Sequence, residues 1–538
     1  MSIGLSTALW LTPAFLNDML NLPLKTVPGR LYLTYLNLLT KMKICFFLQR
    51  RFAYLGHHLA VILKDNYQDV DFCGYVSLRS SFDFLSSQKE IKYSTLLLDE
   101  DVQKKYKEEK LDLNYLQWLE KEYGTPNLWP YIAVDRIIMS NQLVREYPYD
   151  KSPYTHEEML KLLQVMARSI LSFLKEEKPD AVFFSVISNM GSVLLFEMAK
   201  KMGIKCYRLA NCLKDLTTVT DSPNLSLINP TESSTLTDDQ QKQLLIKAKI
   251  FLEQYRSKPV SYFTKSDPQH QQTDRTRQLQ ILLPKNLLNF IKWIFKYSYR
   301  HLTDRTRFDY SYTKPWYYLM DGLKRKIRNA VGVNDLYDMP DWNENFVFFP
   351  LQFEPESGLL HTSYFKTNQL EVIKQVARAL PVGYKLYIKE HPTMVMYRPR
   401  SFYKALKKNP NVKLINPTTK SFDIILQAKL ITAISSSCGW EATLLKKPVI
   451  TFGQAFYNQL SFIKKCRAFE ELPQMVKEQI ENFNYDEPEL INYLTKIFES
   501  SALVDLTGLW DEVYDPDKRH GLVPLADLMA KKLNLKPI

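Results

Sequence analysis

Short apolar runs alternate with helical patterns through the second half of this 538-residue chain. The runs at 346–351, 384–389, 430–434 and 449–452 are rich in Val, Ile, Phe and Tyr and are nearly continuous. Runs of this kind are typical of strands buried on both faces of a parallel sheet. The segments between them have the length that helical crossovers need. The pattern therefore predicts a Rossmann-like α/β domain over residues 345–538.

The first half carries a second α/β pattern, which predicts an N-terminal domain over residues 53–256. Its strands are expected at 59–63, 72–76, 94–98 and 181–187. A long amphipathic helix follows Thr155, and Glu158 lies three residues later, which is the spacing of a capping box. Together the patterns predict an α/β chain with two Rossmann-like domains that face a cleft. The last helix, at 522–533, is expected to pack back across the domain interface.

Two segments lie outside the predicted domains. Residues 1–52 are apolar and basic, and we expect a helical segment that either packs on the first domain or touches a membrane. Residues 257–344 are expected to form a linker and a basic helical segment. No secretory signal is visible, and no uncharged run reaches the ~18–20 apolar residues of a membrane span. The chain is therefore expected to be cytoplasmic, either free or peripheral on the inner face of the cytoplasmic membrane.

The net charge of +13 is unevenly distributed, because residues 281–330 hold eleven Lys/Arg and only three Asp/Glu. A basic surface favours polyanionic partners. The predicted helix 287–300 has apolar residues on one face and Lys292, Lys296 and Arg300 on another. It could bind an anionic membrane surface, line a groove for an anionic acceptor, or pack its apolar face on the protein. No nucleic-acid module is recognised, so no nucleic-acid partner is expected.

Polar residues stand where the strands of the C-terminal domain should end, and ligands of parallel sheets bind at those ends. After the second strand come Lys389, His391 and Pro392, with Arg398 a few residues later. Lys supplies a point charge, His a hydrogen-bond donor and Arg a bidentate contact, so these residues are candidate phosphate ligands. The alternative is a capping His beside solvated cations.

A serine-rich turn follows the predicted strand at 430–434. Ser435, Ser436 and Ser437 precede a helix whose backbone N–H groups, together with the hydroxyls, suit a phosphate. Gly439 would let a ligand approach the backbone closely, and Glu441 could accept hydrogen bonds from a ribose. The alternative is a set of simple helix caps.

The first strand of the C-terminal domain is followed by Gln352, Glu354 and Glu356, which could hold sugar hydroxyls or act as a general base. The alternative is a solvated acidic turn. No glycine-rich dinucleotide or P-loop motif is present, which argues against dehydrogenases and P-loop NTPases. The six cysteines are scattered and no His stands at zinc-ligand spacing, so no metal site is indicated. Together the three loops predict a pocket for a nucleotide sugar or a similar donor.

The motifs over 346–457 resemble those of the capsule polysaccharide biosynthesis and export family, whose best-known members are bacterial Kdo transferases of GT-B-like fold. The matching residues are Gln352, Glu354, Lys389, His391, Pro392, Ser436, Gly439, Glu441, Gly453, Phe456 and Tyr457. The resemblance implies that His391 and Ser436 hold the nucleotide phosphate and that Glu441 contacts the ribose or base. It also places Gln352, Gly453 and Tyr457 at the donor sugar.

The resemblance implies a metal-independent glycosyltransferase without a cofactor, which uses a nucleotide-activated, possibly CMP-linked, sugar and a lipid-linked or saccharide acceptor. Lys389, His391 and the helix N-terminus would neutralise the leaving phosphate. The catalytic base is expected in the N-terminal half, where Asp135 is the candidate, beside Glu354 and Glu356 in the C-terminal domain. Two alternatives stay open. One is transfer of a polyol phosphate from a CDP-alcohol, and the other is a non-enzymatic factor for capsule polysaccharide export or assembly.

Overall fold

A computed structural model of the chain describes residues 41–141, 151–213, 215–221, 226–228, 234, 236–260, 284–354, 357–510 and 514–538. Within them, two separate β-sheets of seven and six strands lie among helices. This confirms the predicted fold class, an α/β chain with two Rossmann-like domains. The predicted N-terminal segment 1–52 lies mostly outside the described residues.

The first sheet has the order β13-β6-β5-β4-β1-β2-β3 and is parallel except for the pairings of β6 with β5 and β13. Its strands are β1 (Met42–Leu48), β2 (Val70–Val76), β3 (Leu96–Leu98), β4 (Ala181–Phe184), β5 (Lys205–Leu213), β6 (Leu216–Thr220) and β13 (Ser501–Ala502). Alternate residues of β1 enter two different apolar cores, as expected for a strand covered on both faces.

Helices cover both faces of this sheet. They are α1 (Phe52–Asn66), α2 (Arg79–Ser87), α3 (Asp99–Lys104), α4 (Leu113–Tyr123), α5 (Trp129–Ala133), α6 (Arg136–Ser140), α7 (His156–Glu177) and α8 (Met190–Lys201). The next helix, α9 (Asp238–Ser257), packs elsewhere, because its buried residues Ala248 and Leu252 join an apolar core of the second sheet. The capping box predicted for α7 is confirmed, since Glu158 N donates to Thr155 Oγ1 over 3.3 Å and Thr155 N to Glu158 Oε2 over 2.8 Å. The cap satisfies backbone donors that would otherwise lack a partner.

Two predictions at the start of the chain are wrong. The segment 42–48, expected to be helical, forms the central strand β1, and the run 59–63, expected to be a strand, lies inside α1. Both runs are apolar on every side, because β1 is buried on two faces and α1 is buried along most of its length. Periodicity does not separate a strand from a helix in such runs.

The second sheet has the order β12-β11-β10-β7-β8-β9 and is parallel throughout. Its strands are β7 (Phe346–Pro350), β8 (Lys385–Lys389), β9 (Val412–Ile415), β10 (Leu430–Ala433), β11 (Val449–Thr451) and β12 (Ile463–Lys465). Its helices are α12 (Ser357–Thr362), α13 (Gln369–Ala379), α14 (Arg400–Leu406), α15 (Ser421–Gln427), α16 (Ser437–Leu444), α17 (Leu472–Glu481) and α18 (Glu487–Glu499). The four predicted strands of this domain are confirmed.

The chain returns to the first domain at its C-terminus. β13 pairs with β6, and two further helices follow, α19 (Leu506–Trp510) and α20 (Val523–Leu533). The apolar face of α20 enters the core of the first sheet, and Tyr67 Oη donates to Asp527 Oδ1 over 2.8 Å. The last helix of the chain thus packs on the first domain.

The connecting segment contains two long helices, α10 (Pro284–Thr303) and α11 (Pro315–Val331). The loop between them is fixed to the first domain by Asp309, which is buried and accepts from Arg79 Nε over 3.1 Å and from Lys104 Nζ over 2.6 Å. This anchor brings the next residue, Tyr310, to Asp99, which follows the carboxyl end of β3. The hydroxyl of Tyr310 donates to Asp99 over 3.4 Å.

Candidate active site

Both sheets have the same topological switch point. β7 lies between β8 and β10, and β1 lies between β2 and β4, so that the chain leaves the central strand in one direction first and in the other direction later. The crevice outside the carboxyl ends of such strands is where open α/β sheets bind ligands. In each domain a Gln after the central strand contacts a Ser after the switch strand. Gln352 meets Ser435 in one domain, and Gln49 meets Ser188 in the other.

Lys389, at the end of β8, is a buried cation with no carboxylate within ion-pair distance among the described residues. Its side chain is 6% exposed, and Nζ donates to Ser421 Oγ over 2.6 Å. Burial lowers the pKa of Lys389, while the electrostatic effects of Cys438, Glu441 and Asp423 oppose that shift. Two of these residues, Cys438 and Glu441, belong to α16, so the helix acts electrostatically on the ammonium group. A buried ammonium group at a helix N-terminus is a suitable partner for a phosphate.

The serine turn precedes α16 as predicted, and its three serines differ in their contacts. Ser435 is fixed, because its backbone N donates to Gln352 Oε1 over 3.0 Å and its hydroxyl accepts from Thr362 Oγ1 over 3.0 Å. Ser436 occupies the N-cap position, yet its side chain makes no capping bond and its buried Oγ has no hydrogen-bond partner. Ser437 begins the helix and is half-buried. Ser436 therefore keeps a hydroxyl for a ligand.

Three residues that the resemblance placed at the donor sugar hold the serine turn instead. Tyr457 is fully buried and donates from its hydroxyl to Ser436 O over 2.7 Å. Gln352 uses its amide on Ser435, with Oε1 accepting from N over 3.0 Å. A Cβ on Gly453 would meet Ser363 Cβ at 3.0 Å, so this glycine permits close packing of two loops. The side chains of Gln352 and Tyr457 therefore position the turn and are not exposed to a sugar.

Gly439 was expected to let a ligand approach the backbone, and the structure gives another reason for this glycine. A Cβ at this position would lie 2.2 Å from Tyr457 Oη. The missing side chain therefore makes room for the tyrosine that supports Ser436.

Arg398 and Glu354 were predicted as phosphate ligand and catalytic residue, but they bind each other in the interior. Arg398 Nη2 donates to Glu354 Oε2 over 2.9 Å and to Gln352 O over 2.7 Å, and Nη1 donates to Glu390. All three charged side chains are buried, and the two carboxylates raise the pKa of Arg398 against the effect of burial. The guanidinium is occupied, which is a structural role. Glu356 lies outside the described residues.

His391 and Pro392 lie where they were expected, directly after β8. His391 is half-buried, its ring lies edge-on to Phe353 at 6.0 Å between centroids, and its backbone N donates to Glu390 Oε1 over 2.7 Å. Pro392 begins a short 3-10 turn. Glu441 is buried in the middle of α16, and its electrostatic effect raises the pKa of Lys389. The structure thus gathers Lys389, Ser436 and Glu441 around one helix end, with His391 at the adjoining strand end.

A cavity of about 210 Å³ opens at the switch point of the first sheet. Its walls come from the residues that follow β1, β2 and β4, from the start of α6 and from the connecting loop. The residues that matter for chemistry are Gln49, Arg50, Ser77, Asp135, Ser188 and Tyr310. Ser77 is buried, and its hydroxyl has no hydrogen-bond partner. Such a polar cavity can hold a hydroxylated ligand.

Asp135, the candidate base, lines this cavity. Its Oδ1 accepts from Ile137 N and Ile138 N at 3.0 and 3.1 Å as the N-cap of α6, and its Oδ2 accepts from Met190 N at 3.2 Å. Burial raises the pKa of Asp135, although the three backbone N–H groups lower it. A carboxylate with a raised pKa, held rigidly in a cavity, has the properties of a general base.

Two further buried carboxyl groups lie beside the cavity, and the sequence did not single them out. Asp99 accepts from Tyr75 Oη over 2.7 Å and from Tyr310, and Glu100 accepts from Ser311. Burial raises the pKa of each to about 7. In the sequence, the run Asp99-Glu100-Asp101 is characteristic of a solvated helix start. In the structure, Asp99 and Glu100 are buried and accept from Tyr310 and Ser311 of the connecting loop.

We expect Asp99→Asn to flatten the dependence of stability on pH. The pKa of Asp99 is about 7 in the folded state and ordinary in the unfolded state, so the wild type loses stability as pH rises from about 4 to 7. The variant lacks this titration, and urea unfolding at pH 5 and pH 8 should show a smaller difference than in the wild type. Asp101→Asn is the control, because Arg79 lowers the pKa of Asp101. That variant should lose equal stability at both pH values, and an unchanged slope in Asp99→Asn would refute the assignment.

The described residues include neither a metal-binding cluster nor a membrane-spanning helix. No group of three His, Cys, Asp or Glu side chains is arranged for a metal ion there. No helix in the described ranges is long and apolar enough to cross a membrane.

The sequence missed the residues that complete the two sites. Ser421 and Tyr255 lie near Lys389 and Glu441, and the hydroxyl of Tyr255 is buried without a hydrogen-bond partner. Gln49, Ser77 and Tyr310 line the cavity of the first domain. A correct assignment of β1 as a strand would have placed Gln49 at a strand end, whereas no sequence signal brings Tyr255 or Tyr310 to these sites.

Residues 269–467 match the family described as capsule polysaccharide biosynthesis protein. This match confirms the resemblance predicted from the motifs over 346–457. Among curated proteins, FixF of Sinorhizobium fredii strain NGR234 is 33% identical over 121 residues, which are 22% of this chain and 29% of that protein. The match thus spans less than a third of the length of this curated relative.

Similar solved structures include the β-Kdo 2,7 and 2,4 transferases of KpsC from Thermosulfurimonas dismutans, each 14% identical. The first similarity covers 66% of this chain and 89% of that chain at a TM-score of 0.29, and the second covers 60% and 88% at 0.32. UDP-GlcNAc 2-epimerase of Neisseria meningitidis is 11% identical, with 92% and 100% covered at a TM-score of 0.22. At these scores the family match, rather than any single structure, bears on function.

Proposed function

We propose, from the match of residues 269–467 to the capsule polysaccharide biosynthesis family, that this chain is a glycosyltransferase of surface polysaccharide synthesis. It transfers a sugar from a nucleotide-activated donor to a saccharide or lipid-linked acceptor. The donor binds at the switch point of the second sheet, and the acceptor binds in the cavity of the first.

The observation that carries the proposal is the pair formed by Lys389 and the start of α16. Lys389 is a buried cation without a carboxylate partner among the described residues, and Ser436 holds a buried hydroxyl without any partner. A buried charge is costly unless it is neutralised, so this site gains stability when a phosphate binds. The backbone N–H groups of α16 and the hydroxyl of Ser436 supply hydrogen bonds to its oxygens. His391, at the same sheet edge, adds a donor.

The reaction follows from these roles. Asp135 accepts the proton of an acceptor hydroxyl, and that oxygen attacks the anomeric carbon of the donor sugar. The bond between the anomeric carbon and the phosphate oxygen breaks, and the electron pair remains on the nucleotide phosphate. Lys389, Ser436 and the N-terminus of α16 stabilise this developing charge. The proton and the leaving nucleotide are thus taken up in different domains.

Calorimetric titration with CMP, CDP, UDP and GDP tests the donor site. We expect one of them to bind, and we expect Lys389→Met to weaken binding about 10- to 100-fold, because a charge-assisted contact is lost. His391→Ala should also weaken binding without unfolding the protein. Lys385→Met is the matched control, since Lys385 begins the strand that Lys389 ends and therefore lies away from the donor site.

The outcome separates the three functions considered. Binding that Lys389→Met leaves unchanged would refute this donor site. If folded protein binds none of the four nucleotides, the non-enzymatic export or assembly factor becomes the better description. If CDP binds and the product gains phosphorus, the chain transfers a polyol phosphate.

A further inference from the structure

The helix pair α10 and α11 exposes much of the apolar surface of this protein. Thirteen of the 28 large hydrophobic residues that are exposed in the described chain lie between residues 284 and 331. The two helices pack on each other through aromatic rings, with Trp293 and Tyr297 of α10 against Tyr318 of α11. His301 stacks on Tyr312 and meets Trp316 edge-on. One aromatic face of α10 is therefore already covered.

A second apolar face of α10 is left open. It consists of five residues that are 42–73% exposed: Leu288, Ile291, Phe295, Tyr299 and Leu302. Their spacing of three, four, four and three residues places them in one stripe along the helix. A stripe of this length on a surface helix is normally buried against the core. Here the aromatic face packs on α11, and the stripe remains exposed.

Basic residues flank the stripe along the whole helix. Lys285, Lys292, Lys296 and Arg300 recur at helical spacing beside it. Lys292 and Lys296 have no ion-pair partner among the described residues. The nearby acidic groups are already engaged, because Asp309 pairs with Arg79 and Lys104, and Asp321 pairs with Arg325. Arg300 is the exception, because it interacts electrostatically with Asp304. The charges of Lys292 and Lys296 thus remain uncompensated within the described chain.

We propose that α10 lies on an anionic membrane surface, with the stripe inserted among the lipid chains and its lysines at the headgroups. An amphipathic helix with an exposed apolar stripe and flanking lysines has the two features that interfacial binding needs. A second copy of the chain would bring another positive helix to the same face and is disfavoured by charge repulsion. The inference does not depend on the proposed transfer reaction, because it rests on the surface of the connecting segment alone.

Vesicle co-sedimentation tests the proposal with the full-length chain. We expect binding to vesicles of phosphatidylcholine and phosphatidylglycerol, weaker binding to phosphatidylcholine alone, and a decrease at high salt. Ile291→Ser/Phe295→Ser should weaken the partition by at least about tenfold, since two apolar side chains lose their burial. Lys292→Gln/Lys296→Gln should reduce the preference for the anionic vesicles by about tenfold or more.

The matched control is Ile246→Ser/Ile250→Ser on α9, where two isoleucines are 47–55% exposed outside the connecting segment. This variant should bind vesicles as the wild type does, and all of these variants should keep wild-type nucleotide binding. The proposal is overturned if the wild type does not sediment with anionic vesicles, or if the α10 variants bind as well as the wild type. It is also overturned if gel filtration shows that Ile291→Ser/Phe295→Ser turns a dimer into a monomer, because a second copy then covers the stripe.

Discussion

Replacing Arg398 by Met is expected to lower the free energy of unfolding by about 3–5 kcal/mol, the largest effect on stability that we predict. The substitution keeps most of the apolar stem and removes the charge. Glu354 and Glu390 would then remain buried side by side without a cation. Tyr403 Oη and His391 N still donate to Glu390, each over 2.7 Å, but these hydrogen bonds do not offset two buried like charges.

Arg400→Met provides the control for this prediction. Arg400 is two residues away and pairs with Asp335 at the surface, where solvent screens the interaction, so its loss should have little effect. The cost of Arg398→Met should also shrink at low pH, because protonation relieves the two unpaired carboxylates. Equal stability of the two variants in urea at neutral pH would show that the ion pairs of Arg398 with Glu354 and Glu390 do not stabilise the fold.

Asp135→Asn is expected to reduce sugar transfer by about 10²- to 10⁴-fold, the range for loss of a general base. Asn preserves the cap of α6, because its amide oxygen accepts from Ile137 N and Ile138 N, and Asn is a good N-cap. The amide NH₂ group cannot accept from Met190 N as the second carboxylate oxygen does, which should cost about 1 kcal/mol. The measurement is release of free nucleotide from the donor whose nucleotide binds in calorimetry.

Asp112→Asn is the matched control for activity. Asp112 is likewise an N-cap, since it accepts from Tyr115 N over 2.9 Å at the start of α4, but it lies outside the cavity. This variant should turn over as the wild type does. The wild-type rate should fall as pH drops through the raised pKa of Asp135, because the protonated carboxyl cannot accept the acceptor proton. A folded Asp135→Asn with full activity would move the base elsewhere.

The roles of Glu354 and Tyr457 show where motif reasoning stops. The sequence places Glu354 two residues after a strand-end Gln and Tyr457 in a family motif, which is equally compatible with ligand contact and with support. In the structure both residues have a supporting role. Glu354 accepts from Arg398, and Tyr457 donates to the backbone oxygen of Ser436. Conserving the geometry of a binding turn needs buried partners as much as it needs the groups that touch the ligand.

The basic helix illustrates the opposite case. Its charge and its apolar content are evident in the sequence, but the sequence left open whether the apolar face packs on the protein or remains exposed. The structure shows two apolar faces on α10, of which α11 covers only the aromatic one. A single helical wheel does not reveal which stripe the neighbouring helix takes, because that depends on a contact between residues far apart in the chain.

The sequence alone determined the α/β class, four strands of the second sheet, the cap of α7 and the serine turn before α16. These features follow from local periodicity, from capping chemistry and from the rule that parallel sheets carry polar residues at their strand ends. Tertiary structure alone decided that β1 is a central strand, that Arg398 pairs with Glu354, and that Tyr310 reaches the cavity beside Asp135. Each of these depends on burial and on contacts between residues that are distant in sequence. Local sequence patterns predict neither the burial nor the contacts.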